Sequence, residues 1–553
     1  MSLSQLPNEL LEYILSFLPP LEIAKCRQVS HLFCGIIEAS VALRIHIELA
    51  IDGLVLRPQS EMNFLPQNLS VLLDKAKRLR YARDTLQPES MWTLQYPGDD
   101  GRYEASSSLP RRRFTDGVFV WSDYGSNSEW PTTIRCEELA PKSAQSMAPS
   151  SLETSITIRD LTFSAPDNLL VLLEVKENMY RVYFKTLSTG EDHPKASSPI
   201  VEDKAHVVLP NETASLHLRG KHLVQCGHLW IALDCRMGSV RIWNWQTSEV
   251  MRPNACCLDA AFISDDLVLL FVDWENPQDT RPSGIGSLGL AVFSLVNGQI
   301  TYRIETPFPS LPCGVIFGGP QESQMTPSPA KLGGMFASDE SLSIIVIETA
   351  GWDTWMDTMY FVLSCRALQQ ALDATNGSQN KEYDIYGHNI VKWDTWGRDG
   401  TRILPQNMFS HSGERSVHGA RVALRGPPDR ITTDWTTCRG FGYPQEVSSD
   451  VLTVLDFNPR PIIRGDPLPD DSDDWVYLSC DKPTTCTIFS VESRLVDVET
   501  ALPFRAMVSR KAWQAQYTQL YSTAILRQQE TTFEIMSFLP VGVDDGGEGF
   551  CRA

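Results

Sequence analysis

Apolar residues crowd the start of the chain more densely than one helix face can hold. In LPNELLEYILSFLPP, Leu6 to Pro20, a helix over Pro7 to Leu18 carries Leu10, Leu11, Tyr13, Ile14, Leu15, Phe17 and Leu18. Only Asn8, Glu9, Glu12 and Ser16 form a polar strip, whereas a surface helix ordinarily keeps its apolar stripe on one side. Pro7 suits a first turn and the Pro19-Pro20 pair stops the helix. LEIAKCRQV predicts a second helix, and Ser30 is placed to cap a third, HLFCGIIEAS, with Leu32, Phe33, Ile36 and Ile37 on one face. Residues 1–50 therefore read as a module of three short helices. In the following linker, residues 51–110, the segment Leu65 to Leu86 sets Leu69, Leu72, Leu73, Ala76 and Leu79 at amphipathic helical spacing between basic residues.

From about Arg111 the period changes. Short runs of Val, Ile, Leu and aromatic residues, such as GVFVWSD, NLLVLLEV, DLVLLFVDW, LSIIVIETA, TMYFVLSC, VLTVLDF and DDWVYLSC, alternate with Gly, Pro, Asn, Asp and Ser, which predicts strands and turns. Helical period survives only in RALQQALDA near Arg366 and KAWQAQYTQLYSTAILRQ near Lys511. Three stretches share a strand, break, strand, aromatic-and-turn grammar, repeating at roughly 50 to 60 residues against about 40 to 45 for a WD repeat. The fold class is α+β and multidomain: a small all-α module, a helical linker, and residues 111–553 as a degenerate β-propeller of about six to eight blades.

Composition narrows the function classes. At 553 residues with 42% hydrophobic and 21% charged residues, the chain can build large cores. Its formal net charge of -20 argues against general nucleic-acid or anionic-membrane binding. MSLSQLPNELL lacks the features of a secretory leader, and the longest apolar runs are strand-sized, so an intracellular protein, cytoplasmic or nuclear, is expected. Thirteen cysteines show no zinc spacing; Cys256 with Cys257, and Cys480 with Cys486, read as buried thiols. The sequons at Asn68, Asn211 and Asn376 read as chance matches.

Other motifs carry little chemistry. GIGSLG, Gly284 to Gly289, fits a dinucleotide pattern but is preceded by a loop and followed by a strand-like run, where the pyrophosphate needs a helix N-terminus. Trp243 with Asn244, and Trp393 with Asp394, resemble WD-repeat strand ends and read as packing and turn residues rather than a pocket. The RRRF run at Arg111 could grip an acidic or phosphorylated target, but a solvated loop is the plainer reading. His411 and His418 lack a third ligand, and no G-x-S-x-G, H-E-x-x-H or P-loop occurs, so no catalytic residue, metal site or cofactor is expected.

The N-terminal order of elements resembles an F-box: Leu6-Pro7, Glu9-Leu10-Leu11, Ile14-Leu15, Leu18, Leu21, Val29-Ser30 and Phe33. It departs from the family where a tryptophan is common, at Phe33 and around Ala42 or Leu43. The wider chain is similar to large fungal F-box proteins with a propeller-like C-terminal region, through phrases such as VKWDTWGRDGTRIL, VHGARVAL and ALPFRAMVSR. The resemblance implies a non-enzymatic substrate receptor: the F-box binds the Skp adaptor of a cullin-RING ubiquitin ligase and the β domain holds a target protein. By the same resemblance, the adaptor-binding residues are Leu6, Pro7, Leu10, Leu11, Ile14, Leu15, Leu18, Val29, Ser30 and Phe33. The surplus apolar face of the first helix must meet either the propeller or a partner, and a non-ligase propeller scaffold is the alternative.

Overall fold

In the computed structural model the described residues are 6–56, 69–95, 112–115, 118–124, 131–138, 150–177, 179–204, 213–228, 238–274, 287–307, 313–318, 336–350, 359–379, 381–405, 416–426, 437–438, 451–489, 495–511, 513, 517–520, 524–529 and 532–538. The chain opens with four helices, α1 (Asn8–Ser16), α2 (Pro20–Val29), α3 (His31–Ala39) and α4 (Val41–Ile51). Pro7 is the N-cap of α1, and Ser30 Oγ accepts from the amides of Leu32 and Phe33 at 3.1 and 3.4 Å to start α3. The fourth helix was not expected. Ser40 begins it by accepting from Leu43 N at 3.2 Å, while its own hydroxyl donates to Glu12, so the cap also ties α4 to α1.

A short strand, β1 (Leu54–Leu56), follows; then α5 (Leu69–Thr85) realises the helix expected in the linker, and β2 (Ser90–Gln95) completes the N-terminal region. Leu72, Leu73, Ala76, Leu79 and Ala82 of α5 are buried against propeller side chains including Trp475, Tyr477 and Met536. This segment is therefore part of a core rather than a tether.

Among the described residues, seven sheets, almost wholly antiparallel, have four or more strands. Blade 1 is β3 (Arg112–Thr115), β4 (Val118–Tyr124), β5 (Pro131–Glu138) and β6 (Ser150–Glu153); blade 2 is β7 (Asp160–Ser164), β8 (Leu169–Lys176), β9 (Met179–Thr186) and β10 (Ile200–Lys204). Blade 3 is β11 (Thr213–Arg219), β12 (His222–His228), β13 (Gly238–Asn244) and β14 (Glu249–Met251). Blade 4 is β15 (Cys256–Phe262), β16 (Leu267–Trp274), β17 (Ser287–Ser294) and β18 (Gln299–Ile304). Blade 5 joins β19 (Cys313–Gly318), β21 (Ile344–Ala350), β22 (Met359–Ser364) and β24 (Thr401–Pro405); β20 (Phe336–Ser338), between β19 and β21 in sequence, pairs with β1 in a separate two-stranded sheet. Blade 6 contains β25 (Ser416–His418), β26 (Arg421–Gly426), β28 (Val451–Asp456), β32 (Phe504–Ser509) and β29 (Trp475–Cys480). Blade 7 is β33 (Tyr517–Leu520), β34 (Ala524–Gln529), β35 (Thr532–Ser537) and β2.

The first strands of successive blades contact one another from β3 through β7 to β11 and from β15 through β19 and β25 to β33, while β15 meets blade 3 at β12 and β13, the arrangement of a propeller. Its seam is closed by sequence-distant strands, because β2 pairs with β35 in register Ser90↔Ser537 to Gln95↔Thr532. Residues 90–95 fall within the expected linker but belong to the last blade, since β35 would otherwise present an unpaired edge.

Two further differences have clear causes. The helical period near Lys511 does not produce a helix: β33 and β34 pair there, with Leu520, Ile525 and Leu526 buried, so sheet burial overrides the propensity of Ala, Gln and Leu. Conversely, Trp393-Asp394 does not end a strand but opens α7 (Trp393–Gly400), which packs on α6 (Cys365–Gly377), the helix expected from RALQQALDA. Gly400 permits that packing, because a Cβ there would lie 2.6 Å from the Ala367 methyl. Between the two helices, β23 (Asn389–Val391) adds to blade 4 in parallel with β18.

Candidate functional site

Helix α1 has two apolar sides with different fates. Leu11 and Leu15 point inward, at 1% and 3% exposure, and with Ile23, Ile36, Ile37 and Leu43 form the core of the module. Leu10, Tyr13, Ile14 and Phe17, spaced i, i+3, i+4, i+7, line up on the other side at 49%, 62%, 44% and 68% exposure. The rings of Tyr13 and Phe17 meet edge-on at 4.7 Å, which gives the stripe a continuous aromatic end. Leu21, Val29 and Leu32 are also exposed on the following helices. The module completes a core without using these residues, and the propeller does not cover them.

The residues assigned to adaptor binding therefore separate. Pro7, Leu10, Ile14 and Val29 are exposed; Leu6, Leu18 and Phe33 are half-buried against the module's core; Ser30 is a helix cap. Leu11 and Leu15 are core residues, turned away from any partner, because the rotation of α1 carries them to its inner side. Tyr13, Phe17, Leu21 and Leu32 belong to the exposed surface and were absent from that assignment. The i, i+3, i+4, i+7 spacing, counted from Leu10, is the sequence signal that finds Tyr13 and Phe17.

Candidates in the β domain are mostly engaged structurally. Arg111 lies outside the described residues, and Arg113 pairs with buried Asp160 at 3.2 Å instead of facing a target. Trp243 is buried between blades, and Asn244 Oδ1 accepts from Gln246 N at 3.1 Å in a turn. Gly284 lies outside the described residues, but Gly289 is in β17, where a Cβ would lie 2.9 Å from Trp274 Nε1; its requirement is packing. His411 is likewise outside, while His418 is buried with Nε2 3.2 Å from Ser338 Oγ. Cys257 and Cys480 are buried as expected, Cys256 is half-buried, and Asn376 accepts a hydrogen bond from the Tyr302 hydroxyl.

The family model of the F-box domain matches residues 3–40. The N-terminal helical module is an F-box. The large region behind it is mainly β, with a propeller's order of sheets. Solved structures similar to the chain include the Dos1 propeller, at 10% identity over 82% of this chain and 95% of that one, with a TM-score of 0.34. The WD40 domain of Toxoplasma gondii coronin is similar at 10% identity over 78% and 90%, TM-score 0.31. The hydrazine synthase of Kuenenia stuttgartiensis is similar at 7% over 80% and 99%, TM-score 0.36. No curated protein sequence matches the chain. No helix among the described residues is long and apolar enough to cross a membrane.

The F-box is held to the propeller through a polar seam behind the exposed stripe. β1 pairs with β20 in register Leu54↔Ser338 to Leu56↔Phe336, and Asn458 Nδ2 donates to Ile51 O at 2.7 Å. Arg80 of α5 donates from Nε to Asp52 at 2.6 Å and from Nη2 to Glu48 at 2.7 Å, and Arg83 Nη1 donates to Asp52 O at 3.1 Å. Beside them, a cavity of about 260 Å³ is lined in part by Asp84, Asp456, Arg464 and Arg505. Burial pushes the Asp52 carboxyl up to about 6 against the opposing pull of Arg80, and its Oδ2 is buried without a hydrogen-bond partner. These contacts orient the F-box on the outside of blades 5 to 7, with the Leu10 to Phe17 stripe facing outward.

Proposed function

We propose that the chain is a substrate-receptor subunit of an SCF-type ubiquitin ligase, in which the F-box docks on the Skp adaptor and the propeller binds a target protein. The observation that carries this reading is the exposed stripe of Leu10, Tyr13, Ile14 and Phe17 over a core that is already complete. An ordered apolar surface of this kind marks a partner site. Burying each large side chain of the stripe contributes about 1.5–3 kcal/mol in the transfer limit, so a few of them can hold an adaptor once the costs of association are met.

The protein itself makes no bond in this scheme. It raises the effective concentration of a target's lysine near the ubiquitin-charged enzyme by tethering both to one scaffold. A seam fixed at β1, Arg80 and Asn458 suits that task, because a firmly oriented F-box presents the propeller at a defined angle. The ligase would act in the cytoplasm or the nucleus.

The scaffold alternative gains support from the close packing of α4, α5 and β1 on the propeller. It leaves the outward stripe without a role. A pull-down of the full chain on purified Skp adaptor separates the two readings: retention that Leu10→Glu removes, with the propeller still folded, supports the receptor, and no retention of the wild type supports the scaffold.

A further inference from the structure

Where blades 3 and 4 meet, His217 of β11, Cys226 of β12 and Asp259 of β15 bring an imidazole nitrogen, a thiol sulfur and a carboxylate oxygen within 4.8 Å of one another. The topology explains the convergence. Cys226 faces Ser215 across the β11–β12 ladder, so on that face of blade 3 His217 is its diagonal neighbour, two residues along β11 from Ser215. Asp259 arrives from blade 4 beside an irregularity in the pairing of β15, where the register shifts between Cys257 and Asp259 and re-aims the strand. Cys226 and Asp259 are fully buried, and His217 is half-buried, which leaves an approach from solvent on one side.

We infer that His217, Cys226 and Asp259 form a binding site for a zinc-like divalent cation that pins blade 3 to blade 4. Thiolate, imidazole and carboxylate together are a borderline-soft donor set suited to tetrahedral Zn²⁺, with the fourth position open to water on the His217 side or to the adjacent Ser215 hydroxyl. The Ser215 Oγ is buried and sits across the ladder from the cysteine. Chemistry favours the exchange of proton for metal. A dication bound here would take the place of the Cys226 thiol proton and be held by the thiolate and the Asp259 carboxylate together. On binding, one proton leaves the thiol for solvent and the metal bonds form, with no change of oxidation state. No spacing motif announces the site, because the three ligands come from separate strands of two blades.

The test uses the purified full chain, stripped on a chelating resin and titrated with Zn²⁺, with Co²⁺ as a spectroscopic probe. The expected result is about one zinc retained per chain, a rise in the thermal midpoint on adding zinc, and a thiolate-to-cobalt charge-transfer band. Cys226→Ser, nearly isosteric, should abolish that band, and His217→Gln should weaken zinc binding at least about tenfold while the protein stays folded. A wild-type chain that retains no zinc and whose midpoint ignores both zinc and chelator overturns the inference. So does a charge-transfer band that persists in Cys226→Ser, which would place the metal on another of the thirteen cysteines.

Discussion

Leu11 and Tyr13 lie two residues apart on α1 and face opposite sides of it, one 1% exposed in the core of the F-box and the other 62% exposed on its surface. A step of two residues turns a helix by about 200°, so neighbouring apolar residues serve folding and docking separately. Leu11→Ala should destabilise the module by about 2–5 kcal/mol through lost burial and the cavity left behind. Tyr13→Ala should leave stability within about 0.5 kcal/mol and weaken adaptor binding instead. Denaturant unfolding followed by circular dichroism, with titration calorimetry alongside, separates the two effects; equal loss of stability in both variants would contradict the two-sided assignment.

The seam should respond to pH through Asp52. Its carboxyl is raised from 3.8 to about 6 by burial, so the folded chain holds this proton more tightly than the unfolded one. The stabilisation is complete below about 4 and is lost as pH rises through about 6. Asp52→Asn cannot titrate, and the difference in thermal midpoint between variant and wild type should therefore change across that window and be flat above it. A difference independent of pH from 4 to 7 would refute the role given to Asp52.

Two glycines should behave in opposite ways. Gly400→Ala places a methyl group 2.6 Å from Ala367 and should cost about 1–3 kcal/mol by forcing α6 and α7 apart. Gly35, inside α3, has open space for 4 Å around the point where a Cβ would stand, and Gly35→Ala should stabilise the F-box by about 0.4–1 kcal/mol. Thermal melts of the two variants against wild type give both signs.

Blade 7 should depend on the N-terminal region. A chain beginning at residue 111 lacks β2 and α5, exposing the edge of β35 and the apolar surface under Leu72, Leu73 and Leu79. It should aggregate on gel filtration, whereas the full chain, which keeps α4, β1, α5 and β2, should elute as a folded monomer. Monomeric behaviour of the shorter chain would show that β2 is dispensable.

Much of this architecture is legible in the residues. Leu-Pro, Glu-Leu-Leu and Val-Ser mark the F-box, Ser30 caps α3, and the Leu69 to Leu79 spacing forms α5. What escapes is whatever depends on long-range pairing. The closure of blade 7 by β2 joins residues more than four hundred positions apart, and the strand fate of residues 517–529 is decided by burial in that blade. Trp393 and Trp396 look like strand aromatics until Gly400 lets their helix settle on α6. The division of α1 into Leu11 and Leu15 inside and Leu10, Tyr13, Ile14 and Phe17 outside needs the positions of α3 and α4, which fix its rotation.

The central claim is that the outward side of α1 binds the Skp adaptor. Titration calorimetry of the full chain with purified adaptor tests it directly, using wild type and Ile14→Glu, a charge placed in the middle of the stripe. The account predicts saturable binding by the wild type and at least a hundredfold loss in the variant, about 2.7 kcal/mol, with unchanged thermal unfolding. Equal affinity in the two proteins, or no heat of binding with the wild type, would contradict it.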